Sequence, residues 1–214
     1  MDDGLARLRT EYGARGLDEE EAGADPLVLL GRWLTDAIGS GMHEPNAMVL
    51  ATAGSEGAPS ARMVLLKGVG ATGLTFFTNY ESRKADDLET RSHAALLLPW
   101  HPLQRQVRVE GQAGRLTRAD NEAYFAGRPR GSQLGAWASP QSQEVPSRAF
   151  LQERYEKMAV RFADIEPVPC PEHWGGYRVE PQTVEFWQGR SNRMHDRLRY
   201  SRDGLGWRRV RLAP

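Results

Sequence analysis

Between residues 47 and 116 the chain alternates short apolar runs with clusters of Gly, Pro, Asn and Ser. This alternation is typical of β-strands and their turns, and the short connections indicate that consecutive strands pair as hairpins. The pattern therefore predicts an antiparallel sheet that closes, or nearly closes, into a barrel. The five predicted strands span residues 47–53, 61–69, 74–78, 94–100 and 104–116.

Helical patterns lie before and after this group of strands. Asp25 and Pro26 form the N-terminal cap and first position of an amphipathic helix that ends at glycine. Three more helices are predicted at residues 119–127, 131–138 and 147–163, and strands return at 175–179, 183–187, 196–201 and 206–212. Strands at both ends with helices between them predict one α+β domain over residues 25–214. We expect residues 1–24 to be a mobile segment.

Composition excludes several classes of protein. Lys+Arg and Asp+Glu both number 28, so the net charge gives no general attraction to nucleic acid or to a membrane surface. Eight arginines crowd residues 190–211, but no nucleic-acid motif accompanies them. No apolar run approaches the roughly 20 residues of a membrane span, and the first 25 residues are too charged for a secretory signal. The single cysteine, Cys170, is interpreted as a loop thiol without a role, and a cytoplasmic protein is predicted. The five histidines and this cysteine show no metal-ligand spacing, so no metal is expected.

One glycine motif is misleading. Residues 68–73 read G-V-G-A-T-G and match the dinucleotide fingerprint G-x-G-x-x-G. That fingerprint requires a helix after its last glycine, whereas the residues that follow Gly73 form a strand pattern. The glycines are better interpreted as a hairpin turn that needs positive φ.

Three segments offer the converging cationic donors that a phosphate group needs. Arg62 and Lys67 are five residues apart on a predicted strand, so they point to opposite faces and suit two different anions, or are two surface cations. Arg83 and Lys84 lie where a strand ends and a helix begins. Their positive charges oppose the helix dipole there unless an anion is present. The third segment repeats Tyr124, Arg128 and Ser132 every four residues, and helix caps with a surface arginine remain an alternative there.

The run from Val184 to Arg197, V-E-F-W-Q-G-R-S-N-R-M-H-D-R, is the most specific motif. It resembles the signature of the pyridoxine/pyridoxamine 5′-phosphate oxidase family, an E-F-W followed by R-[L/M]-H-D-R. Further similar stretches occur in the expected order, at residues 62–67, 82–84, 99–101, 105–107, 132–137, 141–142 and 174–178. The resemblance covers nearly all of residues 25–214 and extends more weakly to residues 8–12.

The resemblance implies a homodimer of antiparallel split β-barrels with peripheral helices, with FMN bound between the subunits. The residues implied to bind the cofactor are Arg62, Met63, Val64, Leu65, Lys67, Phe77, Thr78, Arg83, Lys84, Gln106, Gln141, Ser142, Trp187 and Arg197. Lys67, Tyr124, Arg128 and Ser132 would grip the substrate phosphate, and Arg193 and His195 would lie over its ring as catalytic residues. Arg9 and Tyr12 would belong to an N-terminal lid. Phe77 departs from relatives that carry tyrosine at this position.

The implied activity is the oxidation of pyridoxine and pyridoxamine 5′-phosphates by O2 to pyridoxal 5′-phosphate. Two alternatives stay open at this point. One is a related flavin oxidase of another small aromatic substrate, as in the phenazine pathway, although a phosphate-free substrate would not need the four-residue grip. The other is a non-catalytic protein that stores FMN or pyridoxal phosphate. His195 taken alone would be interpreted as a strand histidine bonded to Asp196 or to a backbone carbonyl.

Overall fold

The computed structural model describes residues 11–13 and 16–214, and its centre is one antiparallel sheet. The strands are β1 (Ala47–Ala53), β2 (Pro59–Leu65), β3 (Gly68–Gly70), β4 (Gly73–Asn79), β5 (His93–Trp100), β6 (Arg105–Arg115), β7 (Trp174–Gln188), β8 (Asp196–Asp203) and β9 (Gly206–Arg211). The main path runs β2-β1-β5-β6-β7-β4-β3, and β8 and β9 extend from β7. The sheet curls until β2 contacts β4, which confirms the predicted split barrel.

In the described ranges, 11–13 and 16–214, six α-helices surround the sheet. They are α1 (Glu19–Ala22), α2 (Pro26–Gly39), α3 (Arg83–Thr90), α4 (Arg118–Ala126), α5 (Arg130–Ala138) and α6 (Arg148–Arg161). The predicted cap of α2 is confirmed, because the Asp25 side chain accepts a hydrogen bond from the backbone N–H of Leu27 at 2.8 Å. Trp33 of α2 packs edge-on against Phe186 of β7, with ring centroids 5.1 Å apart. This contact fixes the helix on the barrel. Within the described part of the chain no helix is long and apolar enough to cross a membrane.

The predicted strand 61–69 is two strands. β2 pairs with β1, whereas β3 pairs with β4 across the hairpin Gly70↔Gly73, where Gly73 has φ +144°. The chain changes partners at Leu66 and Lys67, whose backbone N–H groups bind Asn46 O and Thr75 O. The hairpin interpretation of the glycines is thus confirmed. The argument from opposite strand faces does not apply to Lys67, because β2 ends at Leu65.

The predicted strands 175–179 and 183–187 are a single strand, β7. Proline normally interrupts a ladder because it has no N–H to donate. Here Pro181 lies opposite Gly111, and the register shifts between Glu110 and Gly111, so that Gln182 of β7 is the extra residue of a β-bulge. A Cβ on Gly111 would lie 2.0 Å from Glu180 O, so only glycine allows this close approach. The bulge therefore accommodates the proline and lets β7 continue.

Residues 16–24 pack against the barrel and its C-terminal strands. Leu17 and Ala22 are buried, and Asp18 caps α1. Arg211 of β9 donates to both carboxylate oxygens of Glu19, and this pairing lowers the pKa of Glu19 to about 2. Part of the arginine-rich C-terminal stretch therefore holds the N-terminal segment. A lid role for residues 1–24 stays a prediction, and residues 1–10 lie outside the described chain.

Candidate functional site

A cavity of about 680 Å³ opens between β2, β4, α4 and α5. Its wall includes eleven of the residues predicted to bind cofactor or substrate. These are Met63, Val64, Leu65, Lys67, Phe77, Thr78, Lys84, Tyr124, Arg128, Ser132 and Gln141. The wall is completed by Asn79, Ala123, Gly127, Pro129 and Trp174, which the sequence had not assigned. Residues from five separate segments thus converge on one space.

Lys84 forms the centre of one end of this cavity, a group we call the Lys84 cluster (Thr78, Ser82, Lys84 and Gln141). Its ammonium donates to Thr78 Oγ1 at 3.0 Å, Ser82 Oγ at 2.9 Å and Gln141 Oε1 at 2.7 Å. The side chain is at the start of α3 and only 9% of the residue is exposed. Burial, together with the charge of Arg62, lowers the pKa of Lys84 to about 8. A bound anion would stabilise the charged ammonium and raise its pKa again.

Arg62 lies beside the Lys84 cluster and outside the cavity wall. Its guanidinium donates to Thr52 Oγ1 at 2.6 Å and to Ser60 Oγ at 2.7 Å. Asp87 accepts from Thr52 at 2.6 Å and lies 3.8 Å from the Arg62 guanidinium. Burial and the neighbouring charge of Arg83 lower the pKa of Arg62, although Asp87 opposes that shift. Arg62, Arg83 and Lys84 therefore form a concentration of positive charge that favours an anion.

Arg128 dominates the other end, which we call the Arg128 cluster (Lys67, Tyr124, Arg128 and Ser132). The guanidinium packs over the Trp174 ring, 4.5 Å from its centroid. Its Nη1 atom is buried and has no hydrogen-bond partner in the part of the chain that the structure describes, and burial lowers the Arg128 pKa. An unsatisfied buried donor costs about 1–3 kcal/mol, more when charged, and such atoms call for an explanation. A bound oxyanion would satisfy it.

Aromatic rings form the wall between the two clusters. Phe77 stacks on Tyr124 with centroids 3.8 Å apart and planes 8° apart, and Trp174 lies on the other side of Phe77 at 5.3 Å. α4 ends at Ala126 and α5 begins at Arg130, so Arg128 lies in the connection between the helices and Tyr124 and Ser132 lie on either side. The four-residue repeat therefore converges through a helix-turn-helix and not along one helix.

Three other predicted cofactor residues lie side by side across neighbouring strands. Gln106 of β6 is opposite Trp187 of β7, and Trp187 is opposite Arg197 of β8. Directly opposed residues share a face of the sheet, so the three form one row. Arg197 is held in place because its Nε and Nη2 both donate to Glu185 Oε1 at 2.9 Å and its Nη1 donates to Ala213 O at 2.9 Å. We call this set the Trp187 row.

The two predicted catalytic residues lie next to this row. The His195 ring is 4.6 Å from the Trp187 ring, and Tyr12 packs edge-on against both. His195 Nδ1 accepts from the Arg190 backbone N–H at 3.1 Å, so the neutral ring carries its proton on Nε2. This corrects the alternative in which His195 binds Asp196 or a carbonyl. Arg193 has φ +59° in an exposed turn, a strained conformation that recurs at functional sites.

One chain does not bring the cavity and the Trp187 row together. Trp174 lines the cavity at the start of β7, and Trp187 is near its end. Over that distance an extended strand covers up to roughly 40 Å. The cavity wall contains neither Arg193 nor His195. Ser142, predicted to hold phosphate, is exposed beside Gln141 with φ +70°, and Arg9 lies outside the described residues.

Two remaining sequence features have structural explanations. Cys170 is buried next to Phe125 and Trp174, and burial raises its pKa, which disfavours the reactive thiolate. Trp174 is a cavity residue that sequence reasoning missed. It belongs to the W-G-G-Y-R stretch, which carried the resemblance but received no role.

Comparisons with known proteins agree along the whole chain. Residues 34–162 match the family described as pyridoxamine 5′-phosphate oxidase, and residues 174–214 match the pyridoxine 5′-phosphate oxidase C-terminal dimerisation region. A pyridoxine/pyridoxamine 5′-phosphate oxidase from Rubrobacter xylanophilus is 56% identical over 98% of this chain and 96% of that protein. One from a Nocardioides species is 55% identical over 98% of each chain.

Solved structures agree with the fold. PhzG from Burkholderia lata, crystallised with tetrahydrophenazine-1-carboxylic acid, superposes with a TM-score of 0.89 at 33% identity, covering 96% of this chain and all of that chain. An FMN-binding protein from Nostoc punctiforme, related to pyridoxamine 5′-phosphate oxidase, gives a TM-score of 0.71 at 16% identity over 90% of this chain and all of that chain. The second similarity concerns the fold alone.

Proposed function

The chain belongs to the pyridoxamine 5′-phosphate oxidase family, and we propose that it is a flavin-dependent oxidase that uses FMN to make pyridoxal 5′-phosphate. Its substrates are pyridoxine 5′-phosphate and pyridoxamine 5′-phosphate. The reaction serves vitamin B6 biosynthesis and salvage. Each substrate loses two electrons and two protons to O2, which gives H2O2, and hydrolysis releases ammonia from the amine. The observation that carries the proposal is one cavity whose wall contains both Lys84 and Arg128, where Arg128 Nη1 has no hydrogen-bond partner among the described residues.

The chemistry of the cavity suits two phosphate groups. A bound flavin supplies the two-electron redox chemistry, and the protein supplies orientation and electrostatics. In our proposal the Lys84 cluster, with Arg62, Arg83 and Ser142, binds the FMN phosphate. The apolar wall of Met63, Val64 and Leu65 then packs along the flavin. FMN is favoured over unphosphorylated riboflavin because a buried ammonium needs an anionic partner.

The Arg128 cluster then binds the substrate phosphate. Lys67 and Arg128 supply charge, and the hydroxyls of Tyr124 and Ser132 supply further donors. Arg193 and His195 act on the substrate ring: Arg193 orients it and stabilises developing charge, and His195 handles a proton through Nε2. The fixed tautomer of His195 favours this assignment, since the backbone bond to Nδ1 leaves Nε2 directed elsewhere.

A second copy of the chain completes the site in this proposal. The chain matches a dimerisation region at residues 174–214, which contains both the Trp187 row and His195. The edge strand β2 carries Met63, 56% exposed, and Leu65, 36% exposed, in the cavity wall. Exposed apolar residues on an edge strand are typical of a surface that a partner covers. FMN would therefore lie between the cavity of one subunit and the Trp187 row of the other. A cytoplasmic location stays a prediction from composition.

The similarity to PhzG makes the phenazine-type oxidase a specific rival. Its bound ligand, tetrahydrophenazine-1-carboxylic acid, has no phosphate. This chain instead has Arg128, whose Nη1 finds no hydrogen-bond partner among the described residues, in the same cavity as Lys67 and Tyr124. Relatives at 55–56% identity are named pyridoxine/pyridoxamine 5′-phosphate oxidases, after phosphorylated substrates. Both observations favour the phosphorylated substrates.

The direct test is anaerobic spectroscopy of the purified protein. We expect a bound flavin that is released as FMN on denaturation, and we expect its visible absorbance to bleach when pyridoxine 5′-phosphate is added. Admission of air should restore the colour and yield pyridoxal 5′-phosphate and H2O2 in equal amounts. A bound flavin that stays oxidised with both phosphorylated substrates would contradict the proposal and favour the rival oxidase or a storage protein.

The pKa of Lys84 predicts how FMN affinity depends on pH. Phosphate stabilises the ammonium, so the pKa of Lys84 is higher in the complex than its value of about 8 in the free protein. FMN affinity should be constant below that value and should fall above it, by up to about tenfold per pH unit. Fluorescence titration between about pH 7 and 9.5, where FMN stays a dianion, measures this. Riboflavin is the matched ligand control, and its affinity should not show the same decline. An equal decline of riboflavin affinity in the wild-type protein, or of FMN affinity in the K84M variant, would refute the role of Lys84.

A further inference from the structure

A closed ring of three hydrogen bonds lies behind the aromatic wall of the cavity. The Gly176 backbone N–H donates to Asn121 Oδ1 at 2.8 Å, and Asn121 Nδ2 donates to Tyr80 Oη at 3.1 Å. The Tyr80 hydroxyl donates back to Gly176 O at 3.1 Å. Burial raises the pKa of Tyr80, so its hydroxyl keeps the proton that this last bond requires. Asn121 is 3% exposed. A satisfied buried network of this kind fixes geometry strongly.

The ring connects the two phosphate-binding clusters. Tyr80 lies in the short segment between Thr78 and Lys84, both of which belong to the Lys84 cluster. Asn121 lies on α4, three residues before Tyr124 of the Arg128 cluster, so the two side chains are neighbours on that helix. None of the cavity-wall residues belongs to the ring. Asn121 and Tyr80 thus connect both clusters without contacting either ligand position.

The glycines of β7 are what allow this arrangement. A Cβ on Gly175 would lie 2.2 Å from Tyr80 Oη and 2.4 Å from Asn121 Nδ2. A Cβ on Gly176 would lie 2.9 Å from the Phe77 ring, which stacks on Tyr124. The Tyr80 and Asn121 side chains of the hydrogen-bond ring, and the Phe77 side chain, therefore lie directly against the β7 backbone. Two contacts therefore fix the position of Tyr124: its helix α4 is held through Asn121, and its ring stacks on Phe77.

We propose that Asn121 and Tyr80 are positioning residues that hold the Arg128 cluster at a fixed distance and orientation from the Lys84 cluster. This inference rests on the proposed function, in which the two clusters bind the substrate and cofactor phosphates. With both phosphates anchored, the ring determines where the reacting carbon of the substrate lies relative to the flavin. It thereby favours phosphorylated substrates over their phosphate-free counterparts, because only the former use the second anchor.

The test is the Y80F variant, which removes one oxygen atom and leaves Asn121 Nδ2 and Gly176 O without that partner. A displacement of about 1 Å can cost up to about 100-fold in rate. We expect the kcat/KM of Y80F for pyridoxine 5′-phosphate to be about tenfold below the wild-type value, mainly because KM rises. The kcat/KM of N121L should fall further. The kcat/KM for phosphate-free pyridoxine should change less than about twofold, because it does not engage the Arg128 cluster.

Binding supplies a readout that is independent of turnover. The Kd of pyridoxal 5′-phosphate, measured by calorimetry, should rise about tenfold in Y80F, in line with the kinetic effect, whereas that of pyridoxal should not. Y200F is the matched control: Tyr200 is buried and, like the partly buried Tyr80, donates to a backbone carbonyl, Gly23 O at 2.9 Å, but it is not in the ring. Both variants should lose similar stability, and only Y80F should lose phosphate selectivity.

Two results overturn the inference. One is a wild-type KM and pyridoxal 5′-phosphate affinity in Y80F, and the other is an equal weakening of phosphorylated and phosphate-free ligands by Y80F. The latter result would mark a purely structural role. Failure of the proposed function is a different observation, since the wild-type protein would then not oxidise either phosphorylated substrate. In that case the comparison of pyridoxal 5′-phosphate binding with pyridoxal binding still tests the role of the hydrogen-bond ring. Y80F allows this test even where N121L fails to fold.

Discussion

The variant R128M is expected to lose substrate affinity without losing stability. Hydrogen bonds to a charged partner contribute about 1.5–3 kcal/mol each, so loss of two should raise KM for the phosphorylated substrates by about 100-fold or more. Within the described residues the same guanidinium has a buried Nη1 without a hydrogen-bond partner. Methionine fills similar space over Trp174 without a buried charge, so the melting temperature of the ligand-free protein should stay equal or rise.

A matched variant separates this effect from simple loss of an arginine. Arg161 also packs over aromatic rings, 5.1 Å from the centroids of Trp137 and Phe162, but it is not in the cavity wall. R161M should leave KM unchanged. Steady-state kinetics and thermal unfolding of both variants give the answer. If R128M lowers the melting temperature while KM stays at the wild-type value, Arg128 is a structural residue and the assignment of the Arg128 cluster to substrate phosphate is wrong.

Local pattern predicted much of the barrel. The strand 47–53 has its predicted bounds, because the period-2 alternation of inward and outward residues is visible in its own sequence. The two errors concern distant partners. Val64 to Leu66 is one continuous apolar run, and nothing within it indicates the change from β1 to β4. Likewise, the register shift beside Pro181 depends on the pairing of β7 with Glu110 and Gly111 of the distant strand β6. Tertiary pairing overrode the local signal in both places.

The candidate site was predictable where residue type alone limits the chemistry. Lys84 and Arg128 stand out as cations beside strand ends and helix breaks, and the structure brings both to one cavity. Trp174 was not predictable in this way, since a tryptophan in a strand is ordinarily a core residue and its contact with Arg128 depends on the fold. The hydrogen-bond ring was hidden for the same reason, because Asn121 and Tyr80 have no motif of their own.

Mixed dimers provide the strongest test of a shared site. The substitutions R128M and R193M affect the cavity and the partner side of the proposed site, respectively. In a dimer with one substitution in each chain, one site carries both defects and the other carries neither. Co-expression with two affinity tags isolates this mixed dimer. It should show about half the wild-type activity, although each homodimer is nearly inactive at substrate concentrations near the wild-type KM.

Placing both substitutions in one chain reverses the expectation. Paired with a wild-type chain, the double variant R128M/R193M gives one site with a defective cavity and another with a defective partner side, so both sites fail. A site built within a single chain predicts the opposite for each arrangement: near-zero activity for substitutions in separate chains, and about half for substitutions in one chain. The two preparations have the same composition, so differences in stability or flavin content cannot produce this reversal. The separation of Trp174 from Trp187 along β7 is the structural reason to expect the shared site.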